Sequence, residues 1–267
     1  MPLAVCATPI GNLDDVTLRL LEELRSADVI LCEDTRHTRV LLRRHAIPGA
    51  TLLSYHEHNE AKRTEELLPR LQAGERVALV SDAGLPGISD PGARLVAAAL
   101  DAGVPVTVLP GASAVETALV ASGFAAERYQ FVGFLPRGAK PLRSLWEDVA
   151  RWPHPLVAFE SPQRLPATLR SLVEADPQRP VAVCRELTKK FEEVVRGPVE
   201  EVSARFAEPP KGEITVVLGP GGEERDLPGA LEAVAELVAA GVPRRQAADV
   251  VSRLTGTSRN ELYRRTL

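Results

Sequence analysis

The stretch SDAGLPGISDPG, residues 81–92, decides the fold, because it follows directly on the apolar run VALV at residues 77–80. It contains three glycines, two prolines and two aspartates. Glycine reaches positive φ without steric cost and proline fixes its own φ, so this composition predicts a shaped loop at the end of a strand. Connecting loops in α/β units need only about two to six residues. We therefore interpret the stretch as a ligand-binding loop; the plainer alternative is a turn before the helix predicted at 93–102.

Two further loops have the same character. ATPIGNLDDVT (7–17) follows a predicted strand at 3–7, and PGASAVETA (110–118) follows one at 104–109. Ligands of open α/β sheets bind outside the carboxyl ends of the strands, so three specialised loops at one edge predict a single ligand site. Neither GxGxxG nor GxxxxGK[ST] occurs, which disfavours a dinucleotide site and a P-loop NTPase.

The pattern of strands and helices predicts an α/β fold with two domains and a tail. Strand-like and helix-like runs alternate in the first half, which is typical of parallel βα units. The second half predicts a mixed sheet with helices, reached through an irregular link, FLPRGAKP (134–141). We place an N-terminal α/β domain at 1–112, a C-terminal α/β domain at 113–221 and a helical tail at 222–267.

The tail begins in the Gly- and Pro-rich linker PGGEERDLPG (220–229) and continues in helices predicted near 230–240, 244–254 and 258–265. Thr255-Gly256-Thr257 separates the last two helices, and a short Gly-containing turn is compatible with a helix-turn-helix. A docked three-helix cap explains the same pattern, and both interpretations stay open.

Composition excludes several classes of protein. The chain has 267 residues and three cysteines, Cys6, Cys32 and Cys184, which lie far apart inside apolar runs and are predicted to be core residues rather than a disulfide framework or zinc site. No signal peptide and no apolar run of about eighteen residues is visible, so we expect a cytoplasmic protein without membrane contact.

The formal net charge of −4 argues against a nucleic-acid partner, but the charge is unevenly distributed. Residues 241–267 contain six arginines against two acids, and residues 36–45 contain four arginines and two histidines with no acid. These two segments are the candidates for RNA contact.

Four motifs carry a resemblance to a known family: ATPIGNLDD, CEDTRHT, SDAGLPGISDPG and ELTKKFEE. From residue 3 to about residue 219 the chain resembles the tetrapyrrole methylase superfamily. The resemblance implies S-adenosylmethionine bound in a cleft between two α/β domains, usually in a homodimer. The branch that the chain resembles most implies methyl transfer to the ribose 2′-hydroxyl of a cytidine in the decoding region of 16S ribosomal RNA, with that RNA or the small ribosomal subunit as partner.

The resemblance extends through PGASA, VAFESPQRL and KGEITVVLG, and it implies which residues bind the cofactor. They lie in the three loops of the first domain and in two segments of the second: Pro9, Gly11, Asn12, Asp82, Gly84, Gly87, Ile88, Ser113, Ala114, Phe159, Glu160, Lys211, Gly212 and Thr215.

The chemistry of a sulfonium donor requires mainly that a nucleophile is aligned with the methyl group. A ribose hydroxyl is a weak nucleophile, and a general base adds roughly 10²- to 10⁴-fold. We predict Asp34, Glu186 and Lys189 as catalytic residues; His56 and His58 are further candidates for the base. For Glu186 an ion pair with a neighbouring Arg or Lys is an equally good interpretation.

The arginines predicted to contact RNA phosphates are Arg36, Arg39, Arg244, Arg245 and Arg259. Such contacts provide affinity without sequence information, and a solvated helix face is the alternative. His56-Glu57-His58 could suggest a metal, but successive strand residues point to opposite faces, so we predict no metal site.

Two other functions compete with RNA methylation. A methylase of a porphyrin-like precursor would use the same donor site, and a non-catalytic RNA-binding or ribosome assembly module would merely keep the fold. CEDTRHT and the Arg-rich tail favour RNA, because a small tetrapyrrole requires neither. The Gly, Pro and Asp positions of the cofactor loops argue against a non-catalytic role.

Overall fold

The computed structural model describes residues 2–49, 51–150, 152–221, 227–255, 257 and 259–266. Residues 222–226 of the predicted linker lie outside this description, and so does Gly256 in the turn predicted between the last two helices.

The first domain is built from alternating strands and helices. These are β1 (Leu3–Cys6), α1 (Leu18–Ser26), β2 (Val29–Cys32), α2 (Thr35–Arg44), β3 (Thr51–Ser54), α3 (Glu60–Gln72), β4 (Val77–Val80), α4 (Ala93–Asp101) and β5 (Val106–Leu109). The five strands form one parallel sheet in the order β3-β2-β4-β1-β5. In this register Cys6 lies beside Val80 and Leu109. The loops that follow β1, β4 and β5 therefore leave one edge of the sheet side by side, as predicted.

Local sequence explains how these helices begin and which face they bury. The hydroxyl oxygen of Thr17 accepts the backbone N–H of Leu20 and caps α1. Leu20 and Leu24, four residues apart, are the buried residues of that helix. The three cysteines are buried and free, which confirms their prediction as core residues.

The second domain contains α5 (Ala114–Ser122), β6 (Gln130–Phe134), α6 (Ala139–Val149), β7 (Leu156–Glu160), α7 (Leu165–Ala175), β8 (Pro180–Arg185), β9 (Glu193–Pro198), α8 (Val199–Arg205) and β10 (Ile214–Leu218). Its sheet has the order β6-β7-β10-β8-β9, in which β6 and β7 are parallel and the other neighbours antiparallel. The mixed sheet and the hairpin of β8 and β9 were both predicted. Helix α5 packs on this sheet, so the chain passes from one domain to the other between β5 and α5.

Helix α6 was missed, because the stretch that leads into it was interpreted as an irregular link. Pro141 lies in the first turn of α6, where a missing N–H removes no helical hydrogen bond. Leu142, Trp146 and Val149 then lie on one face of the helix and are buried against the second sheet. The spacing of these three residues was the signal that could have identified the helix.

The tail forms a helical unit with its own core. Its helices are α9 (Leu227–Ala239), α10 (Arg244–Thr255) and α11 (Arg259–Arg265), as predicted apart from small differences at the ends. Buried apolar side chains from all three helices form one cluster, in which Val234, Val251 and Leu262 lie at the centre. None of the helices described is both long and apolar enough to cross a membrane.

Candidate active site

A cavity of about 280 Å³, here called the cleft cavity, lies between the two sheets. Its walls come from the loops after β1 and β4, from the start of α5 and from β6, β7, β8 and β10 of the second domain. They are mainly apolar, with Ile10, Phe134 and Phe159 among the large side chains and Asp90 and Glu213 as charged groups. An apolar pocket with a few polar groups is the usual form of a small-molecule site.

A second cavity of about 450 Å³, the side cavity, adjoins the first. The two have Ile10, Ala83 and Glu213 in common. Unlike the cleft cavity, the side cavity has His37 and Lys189 in its walls. The two cavities therefore place a compartment whose charged groups are acidic next to one that also has His37 and Lys189.

The predicted cofactor-binding residues divide between these cavities. Those that line the cleft cavity are Gly84, Ile88, Ser113, Ala114, Phe159 and Thr215, and those that line the side cavity are Pro9, Gly11 and Asp82. Asn12, Gly87, Glu160, Lys211 and Gly212 line neither one. Glu160 is buried on the far side of β7, where its carboxylate accepts hydrogen bonds from Thr168 and Arg164.

Hydrogen bonds hold the first two loops together. The N–H of Thr8 donates to the carbonyl oxygen of Gly84 over 2.8 Å, and the N–H of Gly84 donates back to Thr8 over 3.1 Å. Gly84 has a φ of 82°, in the region that favours glycine. The backbone itself thus forms the wall of the cleft cavity at this point.

Asp34 caps α2 and is tied to Arg36. Its carboxylate accepts the backbone N–H of Arg36 over 2.8 Å and pairs with the guanidinium of the same residue at 2.6 Å. Hydrogen bonds from the Arg36 side chain and backbone hold the pKa of Asp34 well below its usual range. A carboxylate of such low basicity accepts a proton poorly near neutral pH.

Glu186 and Lys189 form an ion pair at 2.9 Å, and the Lys189 ammonium also lies 2.9 Å from Glu213. The hydrogen bond from Lys189 lowers the pKa of Glu186. Burial lowers the pKa of Lys189, but its hydrogen bonds to Glu186 and Glu213 outweigh burial and the net shift is upward. Both groups are therefore charged at neutral pH, as in the ion pair considered for Glu186.

Asp90 has an unusual environment in the wall of the cleft cavity. Burial, with a smaller contribution from the nearby Glu33, raises its pKa to about 6. A positively charged ligand in the cavity would favour the ionised form of this carboxyl group. Asp90 is one of the two aspartates of the predicted ligand-binding loop at residues 81–92, but the cofactor-binding residues implied by the resemblance did not include it.

The contact between His37 and Asp82 was also missed. Nδ1 of His37 lies 3.0 Å from Oδ2 of Asp82, and the backbone N–H of Asp34 donates to Oδ1 of the same carboxylate over 3.1 Å. His37 lies in CEDTRHT, so the motif was visible. Its partner is 45 residues away and adjoins it only because β2 and β4 are neighbours in the sheet.

The other histidines considered lie elsewhere. His56 and His58 make a ring contact with each other at 6.0 Å between centroids, and neither lines the two cavities. Within the part of the chain described here, no three His, Cys, Asp or Glu side chains are arranged to hold a metal ion.

The arginines predicted to contact RNA lie in two places. Arg36 and Arg39 line a groove along α2 together with Arg43, above a floor formed by apolar side chains that include Leu42 and Ile47. In the tail, Arg244 and Arg245 begin α10 and Arg259 begins α11, 3.6 Å from Asp249.

A parallel sheet and a mixed sheet enclose one cleft, and glycine-rich loops lie at the carboxyl ends of the parallel strands. This architecture defines the chain as a two-domain α/β protein of the methylase type. The family model of tetrapyrrole (corrin/porphyrin) methylases matches residues 2–203, and that of the RsmI C-terminal HTH domain matches residues 225–267. The chain therefore belongs to the tetrapyrrole methylase family, in the branch of ribosomal RNA small subunit methyltransferase I.

Individual proteins agree with this assignment. Ribosomal RNA small subunit methyltransferase I of Mesorhizobium japonicum is 44% identical over 99% of this chain and 91% of its own length. The protein of the same name from Thermotoga maritima is 48% identical over 81% of this chain and 97% of its own. Uroporphyrin-III C-methyltransferase from Thermus thermophilus, solved in complex with S-adenyl homocysteine, matches the fold with a TM-score of 0.57 at 23% identity, over 81% of this chain and 96% of that one.

Proposed function

We propose that this methyltransferase uses S-adenosylmethionine to methylate the ribose 2′-hydroxyl of a cytidine in the decoding region of 16S ribosomal RNA. The observation that supports the proposal most is the pair of adjoining cavities at the carboxyl ends of β1 and β4. Transfer between two substrates requires that both lie in contact, and the common walls of the two cavities provide such a place.

The cleft cavity fits the donor. The aromatic and aliphatic side chains Phe134, Phe159 and Ile10 suit an adenine ring, and the carboxyl group of Asp90 suits a cation or a hydroxyl. S-adenosylmethionine supplies a methyl group on positively charged sulfur when it is bound. The predicted cofactor residues in this wall, among them Gly84 and Thr215, would bind and orient it.

The side cavity and the groove of α2 fit the RNA. The side cavity contains ionisable groups beside the donor compartment, among them His37 of α2. Arg36, Arg39 and Arg43 lie on the same helix and line the groove of α2. Arginine side chains at such spacing suit successive phosphates of a nucleic acid. Arg244, Arg245 and Arg259 of the tail would extend this basic surface to RNA further from the reacting nucleotide.

Asp34, Glu186 and Lys189 have positioning roles in this proposal. Asp34 orients Arg36, and Glu186 holds the Lys189 ammonium in the wall of the side cavity, where it can bind an oxygen of the acceptor nucleotide. These residues exclude water and fix the hydroxyl close to the donor. A homodimer acting in the cytoplasm completes the proposal; Leu18 and Val120, which are 80% and 81% exposed, offer apolar surface for self-association.

The test is transfer of labelled methyl from S-adenosylmethionine to small ribosomal subunits from cells that lack this protein, followed by nuclease digestion and mass spectrometry. Label on the ribose of one cytidine is the expected result. Gly84→Val is the inactive control, because valine avoids the φ of 82° and its side chain would enter the cleft cavity.

Label on a base would contradict ribose methylation. Label on a porphyrin precursor and none on RNA would favour the tetrapyrrole alternative. RNA binding without transfer of label to any substrate would favour the non-catalytic assembly module.

A further inference from the structure

His37 and Asp82 form a histidine–carboxylate pair at the wall of the side cavity. His37 lies in the first turn of α2, and Asp82 lies two residues after β4. The distance of 3.0 Å from Nδ1 to Oδ2 is that of a hydrogen bond. The second carboxylate oxygen accepts the N–H of Asp34. The N–H of Asp34 therefore fixes the Asp82 carboxylate through one oxygen, and the other oxygen orients the imidazole of His37.

This arrangement leaves Nε2 of His37 free to accept a proton. No hydrogen bond to that nitrogen is found among the residues that the structure describes, and the side chain is 68% exposed. A carboxylate at Nδ1 favours the tautomer with the proton on Nδ1, so Nε2 carries the lone pair. The free nitrogen belongs to a side chain that lines the side cavity, which adjoins the proposed donor compartment.

The other ionisable groups that line this cavity, or that contact its lining residues, already have charged partners. Asp34 is bound to Arg36, while Glu186 and Glu213 are bound to the ammonium of Lys189. Histidine is the side chain whose ordinary charge change falls between pH 5 and 8, which suits proton transfer near neutral pH.

We propose that His37 is the general base of the methyl transfer and that Asp82 is its positioning residue. The proposal rests on the function proposed above, a ribose hydroxyl as acceptor. The hydroxyl oxygen forms a bond to the methyl carbon, and the methyl–sulfur bond breaks with its electron pair going to sulfur. The hydroxyl proton goes to Nε2 of His37. The resulting imidazolium is balanced by the Asp82 carboxylate and, being exposed, returns the proton to water.

The position of His37 on α2 supports this role. The same helix carries Arg36, Arg39 and Arg43 on another face, where they line the groove of α2. RNA phosphates bound there would be fixed relative to His37 by one rigid element. One helix would thus both hold the RNA backbone and remove the proton.

The experiment compares wild type, His37→Gln and Asp82→Asn in single-turnover methyl transfer to unmodified small subunits between pH 5.5 and 9. For His37→Gln we expect a rate at pH 7.5 lower by about 10²- to 10⁴-fold, with donor Kd and RNA affinity within about threefold of wild type. His154→Gln is the matched control, since His154 lies beside Trp152 just before β7, at the end opposite Phe159.

The pH profile separates catalysis from a merely structural role. The wild-type rate should rise with pH through one ionisation and then level off. This rising part of the profile, the pH limb, should be absent in His37→Gln. Asp82→Asn should lower the plateau rate, because an amide does not stabilise the imidazolium that forms on proton transfer. The charged groups that face His37 are Asp82, Asp34 and Arg36 beside it, Glu33 at the end of β2, and Lys189 and Glu213 across the side cavity.

The outcomes are distinct. If wild type methylates RNA and His37→Gln does so within threefold, or keeps the same pH limb, the assignment of His37 is wrong while the proposed function stands. A loss confined to RNA affinity also overturns it. If wild type transfers no methyl to RNA, both proposals fail. His37→Asn takes the place of the Gln variant should the latter fail to bind donor.

Discussion

The backbone N–H of Asn12 donates a hydrogen bond to the hydroxyl oxygen of Thr188 over 3.0 Å, between residues 176 positions apart in the chain. Asn12 lies in the loop after β1, and Thr188 lies in the loop between β8 and β9 with a φ of 65°. At the neighbouring Gly11, a Cβ atom would lie 2.5 Å from Cγ of Lys189 and 2.9 Å from the carbonyl oxygen of Leu187. Glycine thus permits a close contact between the two domains beside the side cavity.

Gly11→Ala should weaken this contact. The added methyl group meets a backbone carbonyl that cannot move without shifting the loop, so we expect a loss of about 1–3 kcal/mol in the free energy of unfolding, measured by calorimetry. Gly197→Ala is the matched control, because the nearest atoms to its Cβ are 3.6 and 3.7 Å away. Equal stability of the two variants would mean that the loop after β1 and the loop between β8 and β9 can separate without a loss in the free energy of unfolding.

Asp90→Asn should stabilise the protein at pH 8 and leave it unchanged at pH 4. The pKa of Asp90 is raised to about 6, first by burial and then by Glu33, so the folded state binds this proton more tightly than the unfolded state does. Stability contributed by the protonated group is complete below pH 4 and is lost as the pH rises through 6. Allowing for solvent screening, we expect a gain of about 1–2 kcal/mol at pH 8 from urea unfolding. A gain of the same size at pH 4 would show that the ionised carboxylate of Asp90 is not the cause of the difference in stability.

Glu160→Ala should destabilise the second domain. The Glu160 carboxylate is buried and accepts hydrogen bonds from the N–H of Ser161 and the hydroxyl of Thr168, both over 2.6 Å, and from Arg164 over 3.2 Å. Removing it takes this acceptor from Ser161 and Thr168 and the carboxylate partner from Arg164, which keeps its hydrogen bonds to the carbonyl oxygens of Leu135 and Pro136. The loss should cost about 2–4 kcal/mol in thermal or urea unfolding. Glu208→Ala, at an exposed turn, is the control and should change stability by less than about 0.5 kcal/mol. A small effect at Glu160 would show that water replaces the carboxylate.

Arg245→Ala should weaken binding of small-subunit RNA and reduce its salt dependence. Arg245 is exposed at the start of α10. If it contacts one phosphate, the negative slope of log K against log salt concentration should become smaller in magnitude by about 0.7–0.9. Filter binding between 50 and 300 mM salt measures this slope. Arg170→Ala, an exposed arginine on α7, should leave the slope as in wild type. An unchanged slope in Arg245→Ala would remove this residue from the RNA contact.

Much of the fold could be predicted because its signals are local. The apolar run before residues 81–92 and the glycines and prolines within it specify a strand and a shaped loop through neighbouring residues alone. The thiols of Cys6, Cys32 and Cys184 were correctly placed in the core for the same reason. Helix α6 was missed because the stretch before it was interpreted as an irregular link, although Leu142, Trp146 and Val149 have helical spacing.

The site was only partly predictable. Loop motifs pointed to Gly84 and Ser113, which line the cleft cavity, and the roles assigned to them stay predictions. The family resemblance also included Glu160, whose carboxylate faces α7, and the direction of that side chain depends on what packs against β7. Asp34, Glu186 and Lys189 were recognisable as ionisable groups, but their basicity depends on partners that only the folded chain brings near.

The sequence by itself determined the order of strands and helices apart from α6, the positions of the three loops and the family, because each is encoded in residues adjacent along the chain. Only the tertiary structure decided that His37 meets Asp82 and that Asn12 meets Thr188. Those contacts follow from strand order and from the packing of one domain on the other. Both result from burial summed over the whole chain, which local patterns do not specify.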